Sequence, residues 1–240
     1  MSGTVLIVGA GDYIGAAIAK RFAAGGFRVC LGRRNGDKLA LLVAEIEASG
    51  GSAHGYDFDA RDEDTVIARF AQIEAEVGPL DLVIFNVGGN VRFPVRETTA
   101  RVYRKVWEMA CFGGFLVGRE AARHMAPRGR GAIFFTGASA SMRGNAGFAA
   151  FASAKAALRS TAQSMARELG PEGIHVAHLV IDAGVDTAWV REIFAAQRRD
   201  VQDGDLMNPA SVADAYWSLY HQPRDAWTFE MDIRPHKETW

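Results

Sequence analysis

The residues best suited to chemistry lie in one stretch, 131–170, where Lys155 follows Phe151 by four positions and Ser139 and Ser141 stand just upstream. Residues four apart share a helix face, so whatever the Lys155 ammonium addresses, the Phe151 ring addresses too. An ammonium and an aromatic ring side by side at the end of a strand look like a cofactor site. Phe151 has no proton to give. The remaining proton sources are Ser139, Ser141 or a water held by Lys155. A second stretch, Gly9-Ala10-Gly11-Asp12-Tyr13-Ile14-Gly15, stands near the start. Glycines there permit a tight turn and let backbone N–H groups approach a pyrophosphate at a helix N-terminus.

Positioning these residues requires strands that end at them and helices that begin after them. Residues 4–10, TVLIVGA, form a short apolar run closed by glycine, as expected of a strand buried on both faces. Ile14, Ile18 and Phe22 then recur at helical spacing over 11–24. The same reading gives strands at 27–32, 53–58, 80–85, 132–136, 174–181 and 227–233, with the thinnest apolar signal at 53–58. Helices fall at 37–48, 63–77, 99–125, 148–166 and 209–220; residues 185–207 read as a loop with a short helix around 189–196. This alternation argues an α/β fold, a single doubly wound parallel sheet of about seven strands flanked by helices (Rossmann-like), with right-handed crossovers. With no repeat, linker or low-complexity tract, the expectation is one domain over 1–240, with a substrate lid around 185–207.

Composition narrows the partners. At 240 residues, 49% hydrophobic and 23% charged, the chain suits one large α/β domain. A net charge of −1 gives no bulk attraction to nucleic acid or an anionic membrane. The sequence shows no secretory signal and no apolar run of membrane-spanning length. Cys30 and Cys111 fall within expected elements and read as buried, reduced thiols of a cytoplasmic protein. The scattered histidines indicate no metal.

The second strand ends in Gly32-Arg33-Arg34, where an NAD-preferring site places a carboxylate on the adenosine ribose. Two guanidinium groups at that point suit a 2′-phosphate. The expected cofactor is NADP(H) in preference to NAD(H).

With the glycine turn, Asn86-Val87-Gly88-Gly89 after the fourth strand and Lys155 on the helix after the fifth, the chain resembles the short-chain dehydrogenase/reductase superfamily over essentially its whole length. The family's turn is G-x-x-x-G-x-G; Gly9 and Gly15 match, Tyr13 replaces the middle glycine, and Gly11 is expected to supply the lost flexibility. The resemblance implies that Asp59 bonds the adenine amino group. It also implies that Asn86 and Gly88 line the cofactor, that Gly184 and Val185 belong to a further cofactor-binding loop, and that Thr187 of that loop reaches the nicotinamide amide. Lys155 is implied to bond the nicotinamide ribose. The departures fall on the catalytic set. By register the family's asparagine is Ala110, its serine Ala138 and its tyrosine Phe151; a longer tyrosine–lysine spacing would use position 148, also phenylalanine.

Three readings follow. The first is an NADP(H)-dependent oxidoreductase with a rearranged proton donor, acting on a carbonyl, an alcohol or an activated alkene. The second is a cofactor-binding sensor without turnover, and the third an interaction subunit that has abandoned the nucleotide. Arg92 and Arg143 fall where the family lines its substrate pocket; if both point inward, the small-molecule substrate is anionic. Trp189 and Phe194 are candidates for an apolar lid. Small residues on helices 99–125 and 148–166 suit a homodimer or homotetramer, the contact the family commonly builds there. The tryptophan at 240 is a further candidate for a subunit contact.

Overall fold

The computed structural model describes residues 3–238; the expectation for position 240 lies outside them. Seven strands form one sheet in the order β3-β2-β1-β4-β5-β6-β7, with every neighbouring pair parallel. They are β1 (Thr4–Val8), β2 (Arg28–Arg33), β3 (Ser52–Asp57), β4 (Leu80–Phe85), β5 (Gly131–Thr136), β6 (Ile174–Ile181) and β7 (Glu230–Ile233). The helices are α1 (Ile14–Ala24), α2 (Ala40–Ala48), α3 (Glu63–Glu76), α4 (Ala100–Trp107), α5 (Gly113–Met125), α6 (Ala149–Leu169), α7 (Ala188–Ala196) and α8 (Pro209–Tyr220).

The apolar run 5–8 of β1 follows from burial on both faces. Alternate side chains of a strand point opposite ways, so Val5 and Ile7 pack into one layer with Ile18, Phe22, Val212 and Tyr216. Leu6 and Val8 enter the other, with Val66, Phe70, Leu116 and Leu158. β3 carries a thin apolar signal because it is the sheet edge, where only Ala53 and Tyr56 are buried.

The long helix expected over 99–125 is interrupted. Residues Glu108–Phe112 form one π-helical turn between α4 and α5, the kind of local widening found often at functional sites. Among the described residues, no helix is long and apolar enough to cross a membrane.

The order of strands reverses between β1 and β4, and ligands of open α/β sheets bind outside the carboxyl ends of strands at such a point. The glycine turn follows β1, Asn86 follows β4, and the serine loop follows β5. All three meet there.

Candidate functional site

Each strand end delivers one wall. Gly9 has φ +93°, and a Cβ on it would lie 2.7 Å from the Asn86 carbonyl oxygen, so the turn after β1 and the segment after β4 close up only around glycine. Gly15 is pressed against the Gly9 carbonyl in the same way, at 2.6 Å. Gly11 behaves differently from expectation. Its φ is not positive and nothing lies within 4 Å of where its Cβ would be, so it leaves clearance while Gly9 takes the left-handed backbone.

Asn86 ties the walls together. Its amide donates to the Gly9 carbonyl (3.1 Å), and its side-chain oxygen accepts from the Thr136 hydroxyl (2.9 Å). With its proton committed there, Thr136 accepts from the buried Tyr216 hydroxyl at 2.7 Å.

The resulting cleft has two continuous lobes. One is lined by Arg33, Arg34, Phe58, Asp59, Arg61 and Met109. The other, a cavity of about 560 Å³, is lined by Asp12, Tyr13, Ile14, Gly15, Asn90, Ala138, Ser139, Phe151, Lys155, Val185 and Thr187, among others. Gly9, Gly11, Asn86, Val87 and Gly88 face both lobes. Almost every residue expected at the site is thus brought to one cleft; Gly184 is not among its lining residues. Its carbonyl accepts from the Met207 amide at 2.9 Å, beside a bridge between Val185 and Met207.

In the first lobe three guanidinium groups differ in how far they are spent. Arg33 is paired with Asp12 at 2.7 Å. Arg61 grips Asp59 through Nε–Oδ1 (2.9 Å) and Nη2–Oδ2 (2.5 Å), which holds the Asp59 carboxyl below its ordinary range. Arg34 makes no ion pair among the described residues.

At the far end of the second lobe Lys155 is 3% exposed. Its ammonium donates to the Thr136 carbonyl at 2.7 Å and to the Val87 carbonyl at 3.1 Å. Burial pulls its pKa down to about 8. An ammonium has three N–H donors, so one remains for the cleft. The Phe151 ring lies beside it, its centroid 6.0 Å from Nζ, and lines the same cavity. Of the two serines considered, Ser139 lines the cavity, whereas Ser141 is buried and its hydroxyl accepts from the Ala138 amide at 3.1 Å. Ala110 is fully buried within the π turn.

Other expectations are redrawn. Arg143 binds Asp182 with both terminal nitrogens, at 2.9 to 3.2 Å, and Arg92 lies over the Phe148 ring at 6.0 Å. Neither lines the cleft, so the two arginines no longer argue for an anionic substrate. Trp189 is 59% exposed and Phe194 stacks under Arg199 instead of roofing the cavity. Asn90 was missed: it lines the second lobe together with Ser139 and Phe151. Its place directly after Asn86-Val87-Gly88-Gly89 is the only signal the sequence offered.

This fold with this cleft places the chain by descent as well. A family model described as short chain dehydrogenase matches residues 3–198, and the chain belongs to that family. A solved short-chain dehydrogenase from Rhodopseudomonas palustris is 58% identical, covers 98% of this chain and 99% of its own, and superposes with a TM-score of 0.85. A metagenomic short-chain oxidoreductase solved in complex with NADP is 26% identical, with 98% of each chain covered and a TM-score of 0.82. Gluconate 5-dehydrogenase of Gluconobacter oxydans is 34% identical over 171 residues, 71% of this chain and 67% of that one.

Proposed function

We propose that the chain is an NADP(H)-dependent short-chain oxidoreductase acting on a small carbonyl, alcohol or activated alkene, built as one Rossmann-type domain with a lid over 185–207. The observation that carries this reading is the continuity of the cleft. It runs from Arg34 at one end to Lys155 and Ser139 at the other, across the Gly9–Gly11 turn. A dinucleotide is the ligand whose length and charge suit both lobes, and the 26%-identical relative was solved with NADP.

The residues divide the work as follows. Arg34, the unspent guanidinium, takes the 2′-phosphate in charge-assisted bonds. Arg61, with Asp59 holding its plane fixed, borders the adenine position. Gly9, Gly11 and the N-terminus of α1 face the pyrophosphate. The free N–H of Lys155 bonds a ribose hydroxyl. The nicotinamide supplies or accepts hydride when bound. Ser139 donates to the substrate oxygen and regains its proton from water in the cleft. Phe151 packs on the reacting partners and excludes bulk water.

A second reading keeps the cofactor and drops the turnover. It is favoured by the three side chains without an exchangeable proton, Ala110, Ala138 and Phe151, at the positions where the family carries its catalytic set. Titrating NADPH and NADH into nucleotide-stripped protein, then screening carbonyl and enoyl compounds, separates the two. Tight NADPH with turnover supports the first reading; tight NADPH without it supports the second; binding of neither removes both.

The chain also offers a surface for self-association. Tyr103, Trp107 and Phe115, on α4 and α5, are 43%, 39% and 38% exposed, a run of large apolar groups that a homodimer or homotetramer would cover. Light scattering that returned a monomer would remove this assignment.

A further inference from the structure

We propose that Tyr13 is a cofactor-retaining strap, whose hydroxyl fastens the lid to the glycine turn and slows exchange of the dinucleotide. The inference rests on the dinucleotide site proposed above and concerns how long that site keeps its occupant.

The Tyr13 hydroxyl accepts a 3.1 Å hydrogen bond from the backbone amide of Ala188, a partner 175 positions away. Ala188 is the first residue of α7, so its amide is one of the donors a helix start leaves unpaired. The Thr187 side chain satisfies the Val190 amide three residues on, at 3.1 Å. Tyr13 thus completes the cap of the lid helix from outside the lid.

The lid depends on such contacts. α7 buries none of its side chains, so apolar packing does little to fix it. At its base the segment is closed by the Val185–Met207 bridge, with Met207 and Gly184 joined at 2.9 Å. At its far end Lys237 donates to the Asp203 carbonyl. On the cleft side the tether is Tyr13.

The neighbouring residue adds a second tie. Asp12 holds Arg33 at 2.7 Å, so the tip of the glycine turn is fastened toward the adenosine lobe by one side chain and toward the lid by the next. Both residues line the second lobe, beside the glycines that face both. A dinucleotide lying across Gly9 and Gly11 therefore enters and leaves past Tyr13.

The test compares wild type with Tyr13→Phe, which keeps the ring and removes only the hydroxyl, and with Tyr13→Gly. Two readouts are taken: trypsin cleavage at Arg191, Arg198 and Arg199 without nucleotide, and the NADPH dissociation rate by stopped-flow fluorescence. Loss of one neutral hydrogen bond should speed both roughly three- to tenfold in Tyr13→Phe, and Tyr13→Gly should exceed it. If wild type takes up NADPH and Tyr13→Phe matches it in both readouts, the strap fails while the site stands. If wild type takes up neither NADPH nor NADH, the site fails and the strap with it.

Discussion

The Lys155 ammonium is held by the carbonyl oxygens of Thr136 and Val87, at 2.7 and 3.1 Å, and makes no ion pair among the described residues. A buried cation supported only by dipoles is costly to the fold. Its value lies in the N–H it leaves free.

That cost has a pH signature. The Lys155 pKa falls from 10.5 to about 8 because burial disfavours the charge. Between those values the unfolded chain still binds the proton that the folded chain has lost, so stability rises with pH across the window, by up to about 3 kcal/mol. Urea unfolding of wild type and Lys155→Met at pH 7.5 and pH 10 should show wild type gaining on the variant. A constant difference would remove the buried-ammonium argument. The same variant should bind NADPH roughly ten- to hundredfold more weakly, for want of the free donor.

Restoring the absent proton donor should reveal whether the rest of the machinery is intact. Ala138→Ser with Phe151→Tyr should raise carbonyl turnover by roughly 10²–10⁴. Each single change should give much less than half of that logarithm, because such groups act as a unit. No gain in the double variant with NADPH bound would mean that substrate does not reach the nicotinamide lobe.

Cofactor choice is expected to hinge on which arginine is unspent. Arg34→Ala should weaken NADPH by about tenfold or more and leave NADH nearly unchanged. Asp12→Asn should act in the opposite direction. Freed from an exposed ion pair worth little by itself, Arg33 can turn to the phosphate, tightening NADPH up to about fivefold. Isothermal titration with both nucleotides checks the two together; equal effects on NADH would show that the arginines act on something other than the 2′-phosphate.

His178 sets the acid limit. It is fully buried, its Nδ1 lies 3.0 Å from Glu230 Oε2, and burial pulls its pKa down to about 4. The unfolded histidine takes up a proton near pH 6.5, so stability contributed by the neutral ring is lost as pH falls from 6.5 toward 4, up to about 3 kcal/mol. His178→Gln should be less stable than wild type at pH 7 and should lose less on acidification. Parallel melting curves from pH 7 to 4.5 would contradict this.

How much the sequence discloses depends on range. β1 is readable because burial on both faces leaves no polar position after Thr4, and β3 is faint because an edge strand needs only Ala53 and Tyr56 inside. Lys155, Phe151, Ser139 and Asn86 are readable because strand ends and helix starts fix them locally. The contacts between distant residues are not. Nothing near Arg143 indicates that Asp182 takes its charge, and Ala188 gives no sign of Tyr13. Nor does apolar spacing distinguish a π turn at Glu108–Phe112 from ordinary helix, since both keep Ala110 and Cys111 inside.

The family description stops at residue 198, yet the cleft leans on what comes after it. Thr136 takes its hydrogen bond from Tyr216, His178 pairs with Glu230, and Arg234 joins Arg143 on Asp182 at 3.8 Å. Residues beyond the matched span therefore brace the ends of strands within it. A chimaera that kept positions 3–198 and borrowed the remainder from a cousin would inherit the glycine turn and Lys155 intact. It would also inherit a buried histidine without Glu230, a threonine left with Asn86 alone and an aspartate left with Arg143 alone, so the interchangeable unit is the whole sheet with its last strand.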